Sequence, residues 1–305
     1  MVYFWESPFF YFMIEKYLDY IEFEKRYSVH TVKAYRNDLN QYEEFLSNHF
    51  QLNILKAEFV QLRTWVVYLG NDGISKSSIN RKITAIRSFY RFYKLKGHID
   101  NNPASKINLL RTPKRLPVFV EEDNMKSLFS DELFSDDFEG VLAKTIINML
   151  YETGMRIAEL VNLKMYDVDL QSNQLKVLGK RNKERMIPIT NNLKKNIHLY
   201  IKERNTIEVY EEDEVYFFIG VKGKGIYNKF VYRLINHYLG LVTTIKKRSP
   251  HVIRHTFATH MLNKGADLNA IKEILGHASL SATQIYTHNS IEQLKYVYKQ
   301  AHPKA

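Results

Sequence analysis

A chain of 305 residues with no cysteine cannot use disulfides, thiolate zinc sites or cysteine nucleophiles, and its length favours two domains, each burying its own core. Its formal charge of +11, from 44 Lys and Arg against 33 Asp and Glu, favours a polyanionic partner; charge alone leaves nucleic acid, anionic membrane surfaces and acidic proteins open. The aromatic opening at residues 1–12 (MVYFWESPFFYF) lacks a basic n-region and contains Glu6 and Pro8, so it is neither a signal peptide nor a spanning helix. No other run reaches membrane length, and the sequence reads as that of a soluble, cytoplasmic protein.

From Ile14 to about Leu109 the pattern is helical, with apolar residues three and four apart in Ile14, Tyr17, Leu18 and Ile21 and again in Val32, Tyr35, Leu39 and Tyr42. Ser28 or Thr31 caps the second helix, Gly70–Gly73 breaks the third, and Ser75 or Ser77 opens the fourth. That fourth stretch, Lys76–Lys96, carries Lys76, Arg81, Lys82, Arg87, Arg91, Lys94 and Lys96 with no acidic residue, which makes it a candidate to face a nucleic-acid groove. An ordinary amphipathic helix with a solvated basic face would look the same, since Ile79, Ile83, Ile86, Phe89, Tyr90 and Tyr93 supply core anchors.

Arg111–Pro117 (RTPKRLP), with two prolines and three basic residues, cannot continue a helix and is the expected linker. Both sides of it are basic: residues 1–110 hold 15 Lys and Arg against 11 Asp and Glu, and the remainder 29 against 22. Beyond it, helical patterns cover about Glu121–Phe129, Gly140–Glu152, Ile157–Leu163, Asn191–Asn205, Lys229–Leu239, Pro250–Lys264 and Leu268–Leu275. Strand-like runs are Gln174–Leu178, Arg185–Ile189 and Val215–Ile219, the first two flanking a turn at Gly179–Lys183.

Four segments carry candidate chemistry. Ser249-Pro250-His251-Val252-Ile253-Arg254 reads as a helix start, with Ser249 as N-cap acceptor and Pro250 at the first helical position. His251 and Arg254 then project from the first turn beside free backbone N–H groups, a place suited to one phosphate. Thr153-Gly154-Met155-Arg156 puts an arginine just after a glycine break, where it either enters a cleft or stays solvated beside Glu159. Leu178–Arg185 forms a cationic hairpin tip, and Leu275–His288 brings Gly276-His277 and Tyr286 in order. With 21 tyrosines in the chain, Tyr286 by itself says nothing; its company does.

Taken together, these segments resemble the tyrosine recombinases, or phage-type integrases, and among them the bacterial Xer group that resolves chromosome dimers. The resemblance runs from Met13 nearly to the end and is densest in SPHVIRHTFATHMLNKGADLNAIKEILGHASLSATQIYTH, with TGMRIAEL and LGKRNKER matching the arginine and hairpin-lysine motifs. It implies catalytic roles for Arg156, Lys180, His251, Arg254, His277 and the nucleophile Tyr286, and DNA contacts by the basic helix and by Arg181 and Lys183 of the hairpin. Arg181 stands where Xer relatives usually have glycine, so it alters the turn or adds a phosphate contact.

The implied fold is mainly α in two domains: an all-α, SAM-like helical bundle at 13–110 that binds the core DNA site, a linker at 111–117, and an α+β catalytic domain at 118–289 with a small antiparallel sheet. Residues 290–305 form a tail expected to dock on a neighbouring protomer, and residues 1–12 are an extra leader ahead of the point where such relatives begin, expected to be an artefact of start-site choice.

The implied reaction is attack of Tyr286 on a DNA phosphodiester, giving a covalent 3′-phosphotyrosine and a free 5′-hydroxyl, then strand exchange through a Holliday junction without ATP. Fixed cations replace metals, so no cofactor is expected. The expected partners are a double-stranded recombination site, a homotetramer or a heterotetramer with a second Xer-type recombinase, and a septal DNA translocase. A mobile-element integrase, a type IB topoisomerase and a non-catalytic accessory DNA-binding protein are the alternatives; an RNA-binding module is disfavoured by the lack of a base-stacking signature.

Overall fold

A computed structural model of the chain describes residues 8–113, 118–179, 183–276, 298, 300 and 301. Two compact units divide it, Met1–Arg115 and Leu116–Ala305.

The first unit is helical. Helix α1 (Pro8–Asp19) passes into a π-turn at Tyr20–Glu24, and α2 (Val29–Phe50), α3 (Phe59–Asn71) and α4 (Lys76–Leu95) follow. Ser28 accepts the Thr31 amide at the start of α2, and Ser75 accepts the Ser78 amide at the start of α4, so the first of each pair of expected caps does the work. The chain leaves α3 through Gly73 at φ +75°, a conformation that favours glycine. Tyr17, Leu39, Tyr42, Trp65, Ile83, Phe89 and Tyr93 fill the core between the helices. Two of its buried phenols spend their hydroxyls on backbone: Tyr90 donates to the Ile54 carbonyl and Tyr93 to that of Met13, both at 2.6 Å.

In the second unit, α5 (Glu122–Leu128), α6 (Phe138–Thr153) and α7 (Ile157–Val161) precede a three-stranded antiparallel sheet. Its strands are β1 (Val168–Asp169), β2 (Gln174–Leu178) and β3 (Glu184–Pro188), in spatial order β1-β2-β3 with Leu175 opposite Ile187 and Val177 opposite Arg185. Then come α8 (Asn191–Arg204), α9 (Asn228–Val242), α10 (Pro250–Asn263) and α11 (Leu268–Leu275). Helix α6 is buried along most of its length and packs against α8 and α10. A two-residue strand such as β1 is too short to carry a periodicity that a sequence reading could detect.

One expectation is corrected. Val215–Ile219 is not a strand; it makes isolated bridges, Tyr216 to Lys164 and Ile219 to Gly225. Side chains of α8 take the backbone groups that a ladder would need. Arg204 donates to the carbonyls of Glu214, Tyr216 and Phe217, while the Tyr200 hydroxyl donates to Phe217 and accepts from the Ile219 amide. Of the tail at 290–305, residues 298, 300 and 301 are described. Tyr298 and Ala301 are buried in the core of the second unit, and the Tyr298 hydroxyl donates to the Glu152 carbonyl at 2.5 Å, near the end of α6.

Candidate active site

The sequence breaks α6 at Gly154, which adopts φ +60° and closes the helix through its amide to the Leu150 carbonyl. A Cβ here would meet the Leu275 side chain at 2.7 Å, so glycine lets this corner approach the end of α11. Arg156 follows as the N-cap residue of α7, and its amide donates to Glu159 Oε2 at 2.8 Å. The Arg156 side chain runs beside that carboxylate, Nη1 donating to Glu159 Oε1 at 2.8 Å and Nη2 to the Gly276 carbonyl at 3.2 Å.

Arg254 arrives from the first turn of α10 and is 8% exposed. Its fork donates to the carbonyls of Gly154 and Leu275, both at 2.6 Å. A guanidinium has five N–H donors, so Arg156 and Arg254 each keep three beyond these side-chain bonds to described residues. Burial and the neighbouring Arg156 charge push the Arg254 pKa down to about 10, still leaving it cationic at neutral pH. His251, exposed on the same turn, is held below its ordinary pKa by partial burial and then by the charges of Arg254, His255, Lys247 and Arg156. The imidazole is therefore neutral near pH 7 and free to accept a proton.

Ser249 stands at the N-cap of α10 but does not cap it: its Oγ is buried without a hydrogen-bond partner. Lys183 is exposed at the foot of the β2–β3 hairpin, with its carbonyl taken by the Gly179 amide at 2.7 Å. Lys180, Arg181, His277 and Tyr286 lie outside the described residues. Among the described residues no group of three or more His, Asp or Glu is placed to hold a metal ion, and no helix is long and apolar enough to cross a membrane.

The structure adds a residue that the sequence reading passed over. Arg185 is 5% exposed and grips Glu159 with both arms, Nη1 to Oε1 at 3.0 Å and Nη2 to Oε2 at 2.7 Å. Its signal was the period of β3: Arg185 shares the buried face with Ile187, and an arginine there requires a buried carboxylate.

In the first unit the basic helix divides. Lys76, Arg91 and Lys94 are exposed as expected. Lys82 is not groove-facing: it is 6% exposed, with Nζ on Asp38 Oδ1 at 2.9 Å and on Gln41. Arg81 remains exposed while pairing with Asp38, and Arg87 is half-buried, holding the carbonyls of Ala104 and Ile107. The cause is positional, because Lys82 lies one residue from Ile83 on the face that α4 turns to α2 and α3.

A helical unit is joined to an α+β unit in which two separate segments bring guanidiniums to one helix end, an arrangement chemically suited to holding an anion such as a phosphate. Residues 119–293 match the phage integrase family, and residues 14–97 match the N-terminal SAM-like domain of phage integrases. The chain belongs to the phage integrase family and is a tyrosine recombinase, an enzyme of site-specific DNA cleavage and rejoining. It is 37% identical to tyrosine recombinase XerC of Staphylococcus carnosus over 95% of this chain and 97% of that one. Identity to tyrosine recombinase XerC of Oceanobacillus iheyensis is 34%, over 96% of each chain. Its fold matches the XerH site-specific recombinase bound to palindromic difH substrate in a post-cleavage complex, with a TM-score of 0.71 over 93% of this chain and 82% of that one, at 21% identity.

Proposed function

We propose that this chain resolves chromosome or plasmid dimers at cell division, using Tyr286 as nucleophile on a paired recombination site. The observation that carries the chemical half of this reading is the convergence of Arg156 and Arg254 on the last carbonyls of α11, directly before His277 in the chain. The likeness to XerC proteins over nearly the full length supports the biological half.

In this scheme Tyr286 forms a new phosphorus–oxygen bond as the bond to the 5′-oxygen breaks. Arg156 and Arg254 bind the nonbridging oxygens, on which charge builds up, and His277 adds a donor. Lys180 gives a proton to the departing 5′-oxygen, and neutral His251 takes one from the Tyr286 phenol, whose ordinary pKa of about 10 keeps it protonated at neutral pH. The covalent bond conserves the phosphodiester energy, so rejoining needs no ATP. Lys76, Arg81, Arg91, Lys94, Arg181 and Lys183 contact DNA phosphates. Four protomers act together, either identical or paired with a second Xer-type recombinase, under a septal translocase.

Incubation with nicked duplexes bearing candidate dimer-resolution sites tests this reading. A covalent protein–DNA adduct is expected with the natural chain and none with Tyr286→Phe; an adduct with Tyr286→Phe would overturn the nucleophile. Relaxation of plasmids that lack any recombination site would favour a topoisomerase instead.

A further inference from the structure

Arg185 is a buried cation for which the reaction above has no use. Its three hydrogen-bonding nitrogens are all committed: Nη1 and Nη2 to the two oxygens of Glu159, and Nε to the Ile274 carbonyl at 2.7 Å. The last carbonyls of α11 are thus met in succession by three guanidiniums, Ile274 by Arg185, Leu275 by Arg254 and Gly276 by Arg156. Gly276 at φ +63° makes the approach possible, since a Cβ there would lie 3.2 Å from Arg185 Nη1.

The sharing of Glu159 is unequal. Arg185 takes the carboxylate with its two-armed fork, whereas the Arg156 side chain holds a single Glu159 oxygen through Nη1. A carboxylate with only one guanidinium neighbour prefers the two-armed geometry. Without Arg185, Glu159 would be free to take both arms of Arg156 and withdraw from solvent and substrate the donors that Arg156 otherwise keeps. Burial pushes the Glu159 carboxyl up, but the hydrogen bonds and charge of Arg185, with those of Arg156, outweigh it and hold the group ionised below the usual carboxylate range. One carboxylate among three guanidiniums leaves two positive charges in excess, more than a neutral staple between β3 and α11 would need.

We infer that Arg185 is a positioning residue for strand cleavage: by occupying Glu159 it leaves the three remaining N–H donors of Arg156 to the scissile phosphate, and it fixes the end of α11 from which residue 277 continues. The inference rests on the reading of Arg156 as a phosphate ligand.

The test is a double-mutant cycle on the single-turnover rate of adduct formation with nicked duplex, at saturating protein, alongside the Kd for the same DNA and the Tm. Arg185→Lys keeps the charge and loses the fork. It is expected to slow adduct formation about 10- to 100-fold, the cost of misplacing a catalytic group by about an ångström, with Kd within about threefold. In an Arg156→Lys background the same change is expected to cost less than about threefold more, because the residue through which Arg185 acts is already gone.

Equal losses in both backgrounds, or a loss confined to Kd or Tm, would overturn the inference. If Arg156→Lys itself leaves the rate unchanged, the phosphate reading falls instead; if Arg156→Lys is slow and Arg185→Lys is not, only the inference falls. Should Arg185→Lys fail to fold, Glu159→Gln combined with Arg185→Gln keeps a neutral amide pair at the same place. With no carboxylate left to capture Arg156, that pair is expected to keep adduct formation within about threefold of the natural rate, and a loss of about 10- to 100-fold would overturn the inference.

Discussion

Each unit holds a buried carboxylate between two cations, and the two clusters are put to different use. In the first unit Asp38, fully buried on α2, takes Lys82 at 2.9 Å and also Arg81, neighbours on α4. The remaining bond from Lys82 goes to Gln41, and a further one from Arg81 to the Ala34 carbonyl at 3.4 Å, so both return to α2. In the second unit the cations around Glu159 come from the start of α7 and from β3, and both carry on to carbonyls at the end of α11. One cluster closes on the two helices it joins; the other extends into the wall of the proposed phosphate site. Ion pairs alone do not distinguish them, and a buried pair is weak grounds for stability in either case. The destination of the remaining N–H donors separates a staple from a scaffold.

The comparison breaks most visibly at Asp38. Asp38→Ala leaves Lys82 buried without its carboxylate, and the first unit is expected to lose about 3–5 kcal/mol, read as a lowered Tm by calorimetry. Below that Tm and at saturating DNA, the rate of adduct formation should stay within about twofold of the natural chain. A rate that falls with Asp38→Ala as steeply as with a change in the Glu159 cluster would show that both clusters serve catalysis.

A smaller effect sharpens the second cluster. His251 is held below its ordinary pKa by burial and then by the charges of Arg254, His255, Lys247 and Arg156, two of which gather at α11. A depressed pKa means that the proton is already lost at neutral pH, so the proposed base is competent there and is lost as pH falls through the depressed value. Single-turnover cleavage should therefore be flat from pH 8 to about 6.5, the ordinary histidine value, and drop about tenfold per unit only below the lowered one. A decline that begins above pH 6.5 would place His251 outside the cationic field described here.

Much of this was legible because the informative patterns are local. The helices of both units follow from apolar residues three and four apart, and the antiparallel β2–β3 pair from two short runs around Gly179. The same holds for the site: Arg156 after a glycine break and His251 and Arg254 on one turn are short-range signals, and each lies at the element end where its motif put it.

Where the reading failed, long-range partners decide. Val215–Ile219 has strand composition, but Arg204 and Tyr200 consume its backbone bonds. Lys82 sits in an unbroken basic run, yet its fate depends on Asp38, 44 positions away in the chain. Arg185 was readable from the β3 period, but only with Glu159, 26 positions upstream, does it acquire a role.

The basic helix offers the finest division, since it holds spent and unspent cations side by side. Lys94 and Arg91 are exposed, so each is available to neutralise one DNA phosphate and release its condensed counterion. Lys94→Ala or Arg91→Ala should each reduce the slope of log K against log salt by about 1 and weaken binding severalfold at physiological salt, without changing Tm. Lys82→Met should do the reverse: its amine is already neutralised by Asp38, so the salt slope stays and Tm falls. Titrations of the recombination site from low to high salt, paired with melting curves, read both quantities on the same proteins. If Lys82→Met lowers the slope as much as Lys94→Ala does, the buried amine leaves Asp38 when DNA binds, and the first cluster would then be a switch instead of a staple.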